Sequence, residues 1–231
     1  ERISTEIIKS FETSSPISII NLIIQSTLFN SIFDVEKRFN IDEKVASNRI
    51  AIAVNRCSSS EMVLVVLLCA IYFDVDSVGL IPDPMKPKKK LDPIEYAIGR
   101  VLKLSLKIAN DASALLKSEK RIEQLPNNLN RIDVGHWIRE IGANWKLSRC
   151  IIFDENILNF YDNVLVDYIK KERMEELISM KPLVDGKKLA EIHKIKPGPM
   201  LKQLQEELID WQIMHPNSPL AEYEEYVKNK Q

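Results

Sequence analysis

The residues in this sequence whose types and spacing best suit binding chemistry are lysines around a turn that contains proline and glycine. The run Lys196-Pro197-Gly198-Pro199 is followed by Lys202. Pro199 suits the first turn of a helix, where backbone N–H groups are unpaired and the helix dipole is positive. A phosphate group could approach the bare backbone of Gly198 while the two lysines supply charge. The same residues also fit a helix–turn–helix corner that only packs.

Two short amphipathic helices must hold this turn. Apolar residues before the turn recur at Leu189, Ile192 and Ile195, and residues after it recur from Leu201 to Trp211 at helical spacing. Residues 181–202 hold six lysines against two acidic residues, whereas 206–228 hold six acidic residues against one lysine. The formal net charge of −1 hides this local basic patch.

The composition predicts an all-α fold with no sheet. The chain has 231 residues, 45% hydrophobic residues and only six glycines, and its long periodic runs are typical of helices. No alternating hairpin pattern and no repeat of fixed period is visible. The three cysteines form no C-x-x-C pair, so they indicate neither a disulfide framework nor a zinc site.

Several segments carry specific expectations. Two apolar segments, 17–28 and 58–73, are predicted to be buried helices. The segment 74–90, which contains Gly79 and three prolines, is predicted to be an exposed loop. Its basic run 88–90 is usually only solvated but can also contact phosphate. Asp92-Pro93 predicts a helix start. On that helix Arg100, Lys103 and Lys107 would form one basic stripe.

Catalytic and metal-binding sets are weak or absent in the sequence. Asp74 and Asp76 form a D-x-D pair, but such spacing is common by chance, and the three histidines are isolated. We therefore expect no catalytic residue and no metal site in this chain. The most apolar run, 62–73, is too short to span a bilayer, so we expect no membrane partner.

Five segments, in order, resemble the eukaryotic form of the class II tRNA nucleotidyltransferases, the CCA-adding enzymes. They are the E-R-I-x-x-E-x-x-K run at 1–9, the apolar segment 17–33, the leucine/lysine segment 104–111, the G-x-x-x-R-x-x-G-x-x-W pattern at 135–145 and the D-G…K-P-G-P run at 185–199. The last is the most specific. Residues 83–90 have no place on the family pattern.

The resemblance implies a function for the whole protein and a role for this chain. The whole protein would add C, C and A to tRNA 3′ ends from CTP and ATP with Mg²⁺, using a catalytic head whose motifs are not in this sequence. The chain, beginning without a Met, would supply a neck and the start of the body (1–80), the rest of the body (81–180) and a tail (181–231). It would be inactive alone.

The resemblance and the basic patches together assign candidate residues. The tRNA-binding set is Lys187, Lys188, Lys196, Gly198, Lys202, Arg100, Lys103 and Lys107. The set that would brace the head is Arg2, Glu6 and Lys9. Binding would be dominated by phosphate contacts and would depend on salt.

Two rival functions remain open from the sequence. A poly(A) polymerase of the same superfamily would share the body, because base choice lies in the head. A helical protein-interaction scaffold without an RNA partner would instead expose a large apolar groove. The expected setting is intracellular, with cytoplasm, nucleus and mitochondrion all compatible.

Overall fold

The computed structural model describes residues 2–11, 16–34, 38–58, 62–75, 79–126, 128–196 and 198–230, without the side chains of residues 2–4 and 87. Among the described residues the chain forms helices and one small two-stranded hairpin, so the all-α class is confirmed and the expected absence of a sheet is wrong. The chain divides into two compact units. The first comprises residues 1–124 and 143–164, and the second comprises 125–142 and 165–231.

The first unit is built largely from helices. They are α1 (Arg2–Phe11), α2 (Pro16–Gln25), α3 (Phe29–Phe33), α4 (Glu43–Arg56), α5 (Val63–Ile71), α6 (Pro93–Tyr96), α7 (Leu106–Gln124), α9 (Ser148–Ile151) and α10 (Glu155–Phe160). A π-helical turn (Ala97–Val101) follows α6, and a second π-helical turn (Tyr161–Leu165) follows α10. Short 3-10 turns cover Gly142–Leu147.

The core of the first unit is organised around α5. Its sequence is wholly apolar, and every residue from Val65 to Ile71 is buried. It packs against α4, α7 and α9. The Tyr72 hydroxyl donates to the Phe33 carbonyl at 3.0 Å, so the one polar atom of this buried ring has a partner. The expectation of a buried helix at this position is confirmed.

The burial expected for 17–28 is wrong. Only Ile20 of α2 is buried, and Leu22 is 65% exposed. An apolar run at helical spacing cannot tell how many neighbours will cover it, because coverage depends on long-range packing.

The segment 74–90, expected to be an exposed loop, contains a two-stranded antiparallel hairpin. Strand β1 (Ile81–Asp83) pairs with β2 (Lys86–Leu91), with Ile81 opposite Leu91. We refer to residues 81–91 as the basic hairpin. Its prolines signalled a loop, but proline is tolerated in short edge strands, and buried Ile81 and Leu91 fix the base of the ribbon.

The second unit contains α8 (Arg131–Ile141), α11 (Val166–Lys171), 3-10 turns (Met174–Ser179), α12 (Gly186–Ile192), α13 (Pro199–Met214) and α14 (Leu220–Lys230). Helix α8 packs against α13 and against the 3-10 turns. The predicted tail, 181–231, lies in one compact unit with residues 125–142 and 165–180. The compact units therefore divide the chain at places other than residues 80 and 180.

No helix among the described residues combines the length and the apolar character needed to cross a membrane.

Candidate nucleic-acid interface

The three tail helices are held by one apolar cluster. Its buried members come from α12, α13 and α14 and are Leu189, Leu204, Leu208, Trp211, Tyr223 and Val227. Trp211 stacks on His215 with ring centroids 4.7 Å apart and meets Tyr223 edge-on at 5.2 Å. The helical spacing of apolar residues that predicted this helix pair is thus used to bury a single shared face.

The segment that leads into the tail is fastened by a buried glutamine. The Gln212 amide donates to the Lys181 carbonyl at 3.0 Å and accepts from the Leu183 N–H at 3.1 Å. These bonds satisfy two backbone groups that no helix or strand pairs. They fix the approach of the chain to α12.

The start of α12 is capped by the side chain of its N-cap residue. Asp185 caps the helix, and its carboxylate accepts the Lys188 N–H at 2.9 Å. Lys187 and Lys188 are exposed in this first turn, and Lys188 lies 3.7 Å from Glu191. Because such an exposed ion pair is weak, it leaves the Lys188 ammonium accessible to an external anion. The Lys187 ammonium is accessible as well.

The turn between α12 and α13, residues 193–198, is called the tail turn below. Lys194 adopts a left-handed backbone with φ 54°, and the Ile195 N–H returns to the Ala190 carbonyl at 3.0 Å. This return ends α12 as a helix C-terminus commonly ends. Pro197 lies outside the described residues.

The start of α13 differs from the start of α12 because it has no side-chain cap. Gly198 precedes the helix in an extended conformation, and Pro199 occupies the first turn. A Cβ added at Gly198 would meet only the Lys196 carbonyl, at 3.9 Å. The φ of Gly198, 178°, is extended backbone that any residue adopts, so the backbone angles do not require glycine. Gly198 is exposed, and its lack of a side chain leaves its backbone accessible.

Two lysines flank this open helix start. Lys196 is exposed and has no ion-pair partner in the part of the chain that the structure describes. Lys202 is 84% exposed in its side chain and lies 4.0 Å from Glu206, at the limit of an ion pair. An uncapped helix start thus has an accessible lysine on either side of it along the chain, and binding of an anion there stays a prediction.

Acidic residues of the tail lie farther along α13 and on α14. Glu207 pairs with Lys230 at 2.9 Å, and Asp210 pairs with His136 of α8 at 2.5 Å. His193 follows α12, and its Nε2 lies 3.0 Å from the Tyr223 hydroxyl of α14. Burial lowers the pKa of His193 from its ordinary value, while the neighbouring Glu207 opposes that shift.

The predicted stripe of Arg100, Lys103 and Lys107 has a different geometry from the one expected. Helix α6 continues into a π-helical turn, and residues 102–105 are not helical. Lys103, in this interruption, has a left-handed φ of 53°. The three residues therefore do not share one continuous helix. Lys103 and Lys107 are exposed, and their role in RNA binding stays a prediction.

Arg100 forms an ion pair with Asp83 that the sequence analysis did not predict. Its guanidinium donates to both carboxylate oxygens of Asp83, at 2.9 and 3.2 Å. Asp83 is fully buried by accessible surface, and the hydrogen bond from Arg100 lowers its pKa to about 2. The pairing joins residues 17 positions apart, which local spacing cannot reveal.

The predicted neck residues lie on α1. Glu6 and Lys9 form an exposed pair at 3.7 Å, one helical turn apart. The side chain of Arg2 lies outside the described residues. Ile7 and Phe11 are buried, so α1 is anchored through its apolar face while Glu6 and Lys9 remain accessible.

Three residues of the pattern at 135–145 have packing or capping roles in the second unit. A Cβ on Gly135 would come within 2.7 Å of the Ile213 side chain, so α8 and α13 approach closely there. Arg139 donates to the Met180 carbonyl at 2.7 Å. Gly142 ends α8 with a φ of 64°. These residues support the fold and do not form a reactive site.

Arg131 has a similar supporting role that sequence reasoning missed. It donates to the carbonyls of Ile213 and Glu172 at 2.6 and 2.7 Å. Both acceptors are backbone groups near segment ends, so no residue-type pattern could have marked them as its partners. Arginine with its several donors is well suited to such a task.

Within the described residues, no group of three or more acidic, histidine or cysteine side chains is placed to hold a metal ion. Asp74 is paired with Arg49 at 2.6 Å, and Asp76, the second residue of the D-x-D pair, lies outside those residues.

The chain is similar in sequence to yeast tRNA nucleotidyltransferases. It is 28% identical over 165 residues to the mitochondrial CCA tRNA nucleotidyltransferase of Candida glabrata, covering 62% of this chain and 31% of that protein. It is 27% identical over 169 residues to tRNA nucleotidyltransferase cca2 of Schizosaccharomyces pombe, covering 66% of this chain and 35% of that protein.

A third relative is the mitochondrial CCA tRNA nucleotidyltransferase of Saccharomyces cerevisiae, 25% identical over 56% of this chain and 28% of that protein. The chain thus spans about a third of the length of the curated relatives it matches. No protein-family profile matches the chain. No solved structure matches it either.

Proposed function

We propose that this chain, a relative of the eukaryotic CCA-adding tRNA nucleotidyltransferases, is the tRNA-holding part of an enzyme that adds CCA to tRNA 3′ ends. The observation that carries the proposal is the match to yeast proteins of that name along more than half of the chain. The whole protein would be a nucleotidyltransferase that uses CTP and ATP. Its Mg²⁺ and nucleotides would be held by a catalytic head outside this sequence.

The tail turn is the proposed principal contact with tRNA. An exposed Lys196, a weakly engaged Lys202 and the bare backbone at Gly198 support it as a phosphate site. Lys187 and Lys188 add positive charge at the start of the neighbouring helix. Phosphate contacts position a nucleic acid without reading its sequence, which suits an enzyme that must accept many different tRNAs.

The first unit would contribute weaker contacts. Lys103 and Lys107 are exposed and can neutralise phosphate. Arg100 keeps only part of its guanidinium available, because two of its nitrogens already bond Asp83. Its proposed contribution is therefore the smallest of the three.

The neck residues are proposed to brace the catalytic head. Glu6 and Lys9 are exposed on α1, whose opposite face is anchored by buried Ile7 and Phe11. Ion pairs to the head through Glu6 and Lys9 would leave that apolar anchor intact. Arg2 is included on the family resemblance alone.

An intracellular setting is part of the proposal, and the mitochondrion has the most direct support. Two of the yeast relatives carry that compartment in their names. The same names favour CCA addition over the rival poly(A) polymerase. Nucleotide-addition assays on the full protein with tRNA lacking CCA would separate these two activities by product length and base composition.

The test of RNA holding is fluorescence anisotropy of this chain with a labelled tRNA that lacks CCA, across a salt series. We expect log Kd to depend linearly on log salt. The double variant Lys196→Ala/Lys202→Ala should bind about tenfold more weakly at low salt and should reduce the slope by about 2, one unit for each lost phosphate contact.

A matched control keeps this test specific. Lys44→Ala/Lys170→Ala removes the same charge from two exposed positions outside the proposed site, so its affinity should stay near that of the unaltered chain. Equal weakening in both variants would contradict a site at the tail turn. No binding by the unaltered chain at low salt would contradict RNA holding by this part of the protein.

A further inference from the structure

The basic hairpin is a charged surface that the proposed function does not use. Its second strand carries Lys86, Lys88, Lys89 and Lys90, and all four are exposed. Lys89 pairs with Glu95 at 3.2 Å. The other three have no ion-pair partner among the described residues. A chain with a formal net charge of −1 therefore concentrates three uncompensated positive charges on one short strand.

The ribbon that carries these lysines is held firmly at both ends. Ile81 and Leu91 are buried opposite each other at its base. At the turn, the Asp83 carboxylate accepts the Met85 N–H at 2.9 Å while it receives Arg100 on its other side. Asp83 thus ties the turn to the π-helical segment beneath the hairpin.

Proline further limits the motion of the ribbon. Pro82, Pro84 and Pro87 each fix a backbone angle, and short stiff segments lose little conformational entropy on binding. A flexible solvated loop would need none of these features. The combination describes a preorganised ribbon whose outer surface is cationic.

We propose that the basic hairpin is a second RNA-binding surface, in which Lys86, Lys88 and Lys90 contact the phosphodiester backbone. This inference rests on the proposed function, because it takes the bound polyanion to be tRNA. Charge complementarity identifies the partner, because four exposed lysines line β2, whereas the large exposed apolar side chains described at the ribbon are Met85 in the turn and Leu80 just before β1. Such a surface attracts phosphates and offers little to an apolar protein partner.

The test uses three forms of the chain in tRNA-binding anisotropy across a salt series. The triple variant Lys86→Gln/Lys88→Gln/Lys90→Gln leaves Lys89, Glu95 and the Asp83–Arg100 pair in place. We expect it to bind about tenfold more weakly at low salt and to lower the salt slope by about 2 to 3. The control Lys44→Gln/Lys170→Gln/Lys171→Gln removes the same charge from other exposed positions and should leave the slope nearly unchanged.

A second measurement reports on the hairpin directly in the unaltered chain. Lysines are acetylated briefly with and without saturating tRNA, and their modification is read by mass spectrometry. Lys86, Lys88 and Lys90 should be protected by tRNA, whereas Lys44 and Lys170 should not.

The outcomes separate this inference from the proposed function. If the unaltered chain binds tRNA and the tail-turn variant weakens binding, but the hairpin variant behaves as its control and its lysines stay reactive, the hairpin surface is overturned alone. If the unaltered chain does not bind tRNA, the proposed function fails and this inference fails with it. If instead the hairpin variant loses binding to phosphatidylserine vesicles while tRNA binding is unchanged, the surface binds lipid and the RNA assignment is wrong.

Discussion

The tail turn and the basic hairpin both present exposed lysines, and they differ in what holds those lysines in place. The tail turn rests on an apolar cluster around Trp211 that three helices share. The hairpin rests on an ion pair between buried Asp83 and partly exposed Arg100, with Ile81 and Leu91 as its apolar anchors among the described side chains. Similar exposed lysines are thus supported by hydrophobic burial at the tail turn and largely by an ion pair at the hairpin.

The two kinds of support predict which conditions each surface should tolerate. Hydrophobic burial scales with apolar area and does not depend on protonation. An ion pair with a buried member loses its stabilising effect when one partner is neutralised or removed, because the interaction that compensates the buried group is then lost. The tail turn should therefore be sensitive to loss of side-chain volume, and the hairpin should be sensitive to acid.

The largest expected effect comes from Trp211→Ala. Truncating this buried ring should reduce the free energy of unfolding by about 3 kcal/mol, as large-to-small core changes typically do. Urea denaturation followed by circular dichroism measures this loss. Met200→Ala is the control, since Met200 is 57% exposed at the start of α13. Equal stability of the two variants would contradict support of the tail by the Trp211 cluster.

A smaller, pH-dependent effect is expected at Asp83. Arg100 holds the pKa of this carboxyl at about 2 in the folded chain, below its ordinary 3.8. The contribution of the charged Asp83 carboxylate to the free energy of unfolding is therefore fully present above about pH 4 and is lost as the pH falls towards 2. The melting temperature of the unaltered chain should fall more steeply over that interval than the melting temperature of Asp83→Asn.

The matched control for Asp83 is Asp74→Asn. Asp74 is also paired with an arginine, Arg49, but 71% of its side chain is exposed. Exposed ion pairs contribute little, so Asp74→Asn should keep the steep acid dependence of the unaltered chain. If Asp83→Asn keeps it as well, the hairpin is not held by its ion pair.

The smallest expected effect is at His193, inside the tail. Burial lowers its pKa below the ordinary 6.5, so the unfolded chain binds a proton more readily than the folded chain. Stability of the tail should decline as the pH falls below about 6.5. His193→Gln should flatten this decline in thermal melts, whereas His215→Gln should retain it, and an NMR titration of His193 measures the shift directly.

Much of the helical framework could be predicted because its signals are local. Asp185 caps α12, Asp92 caps α6, and Gly142 ends α8, each through bonds to residues within a few positions. Capping residues and apolar spacing act over one or two turns, so they are visible in a linear sequence. The interruption between α6 and α7 was missed, since a π-helical turn has no clear composition signal.

The candidate site was predictable to a smaller extent. The lysines around Gly198 follow from residue type and spacing and flank an uncapped helix start, and their binding role stays a prediction. The basic stripe of Arg100, Lys103 and Lys107 was inferred for a continuous helix, but the helix is interrupted between Arg100 and Lys107. Periodicity assigns residues to a common face only where the helix continues.

The all-α class, the starts of α6 and α12 and the resemblance to CCA-adding enzymes could be read from the sequence, because these depend on neighbouring residues and on ordered motifs. Long-range packing, in contrast, leaves Ile20 as the one fully buried residue of α2, pairs the strands of the ribbon at 81–91 and buries Asp83 against Arg100. Burial and pairing of that kind join residues distant in sequence, and their energies depend on the whole surroundings of each group.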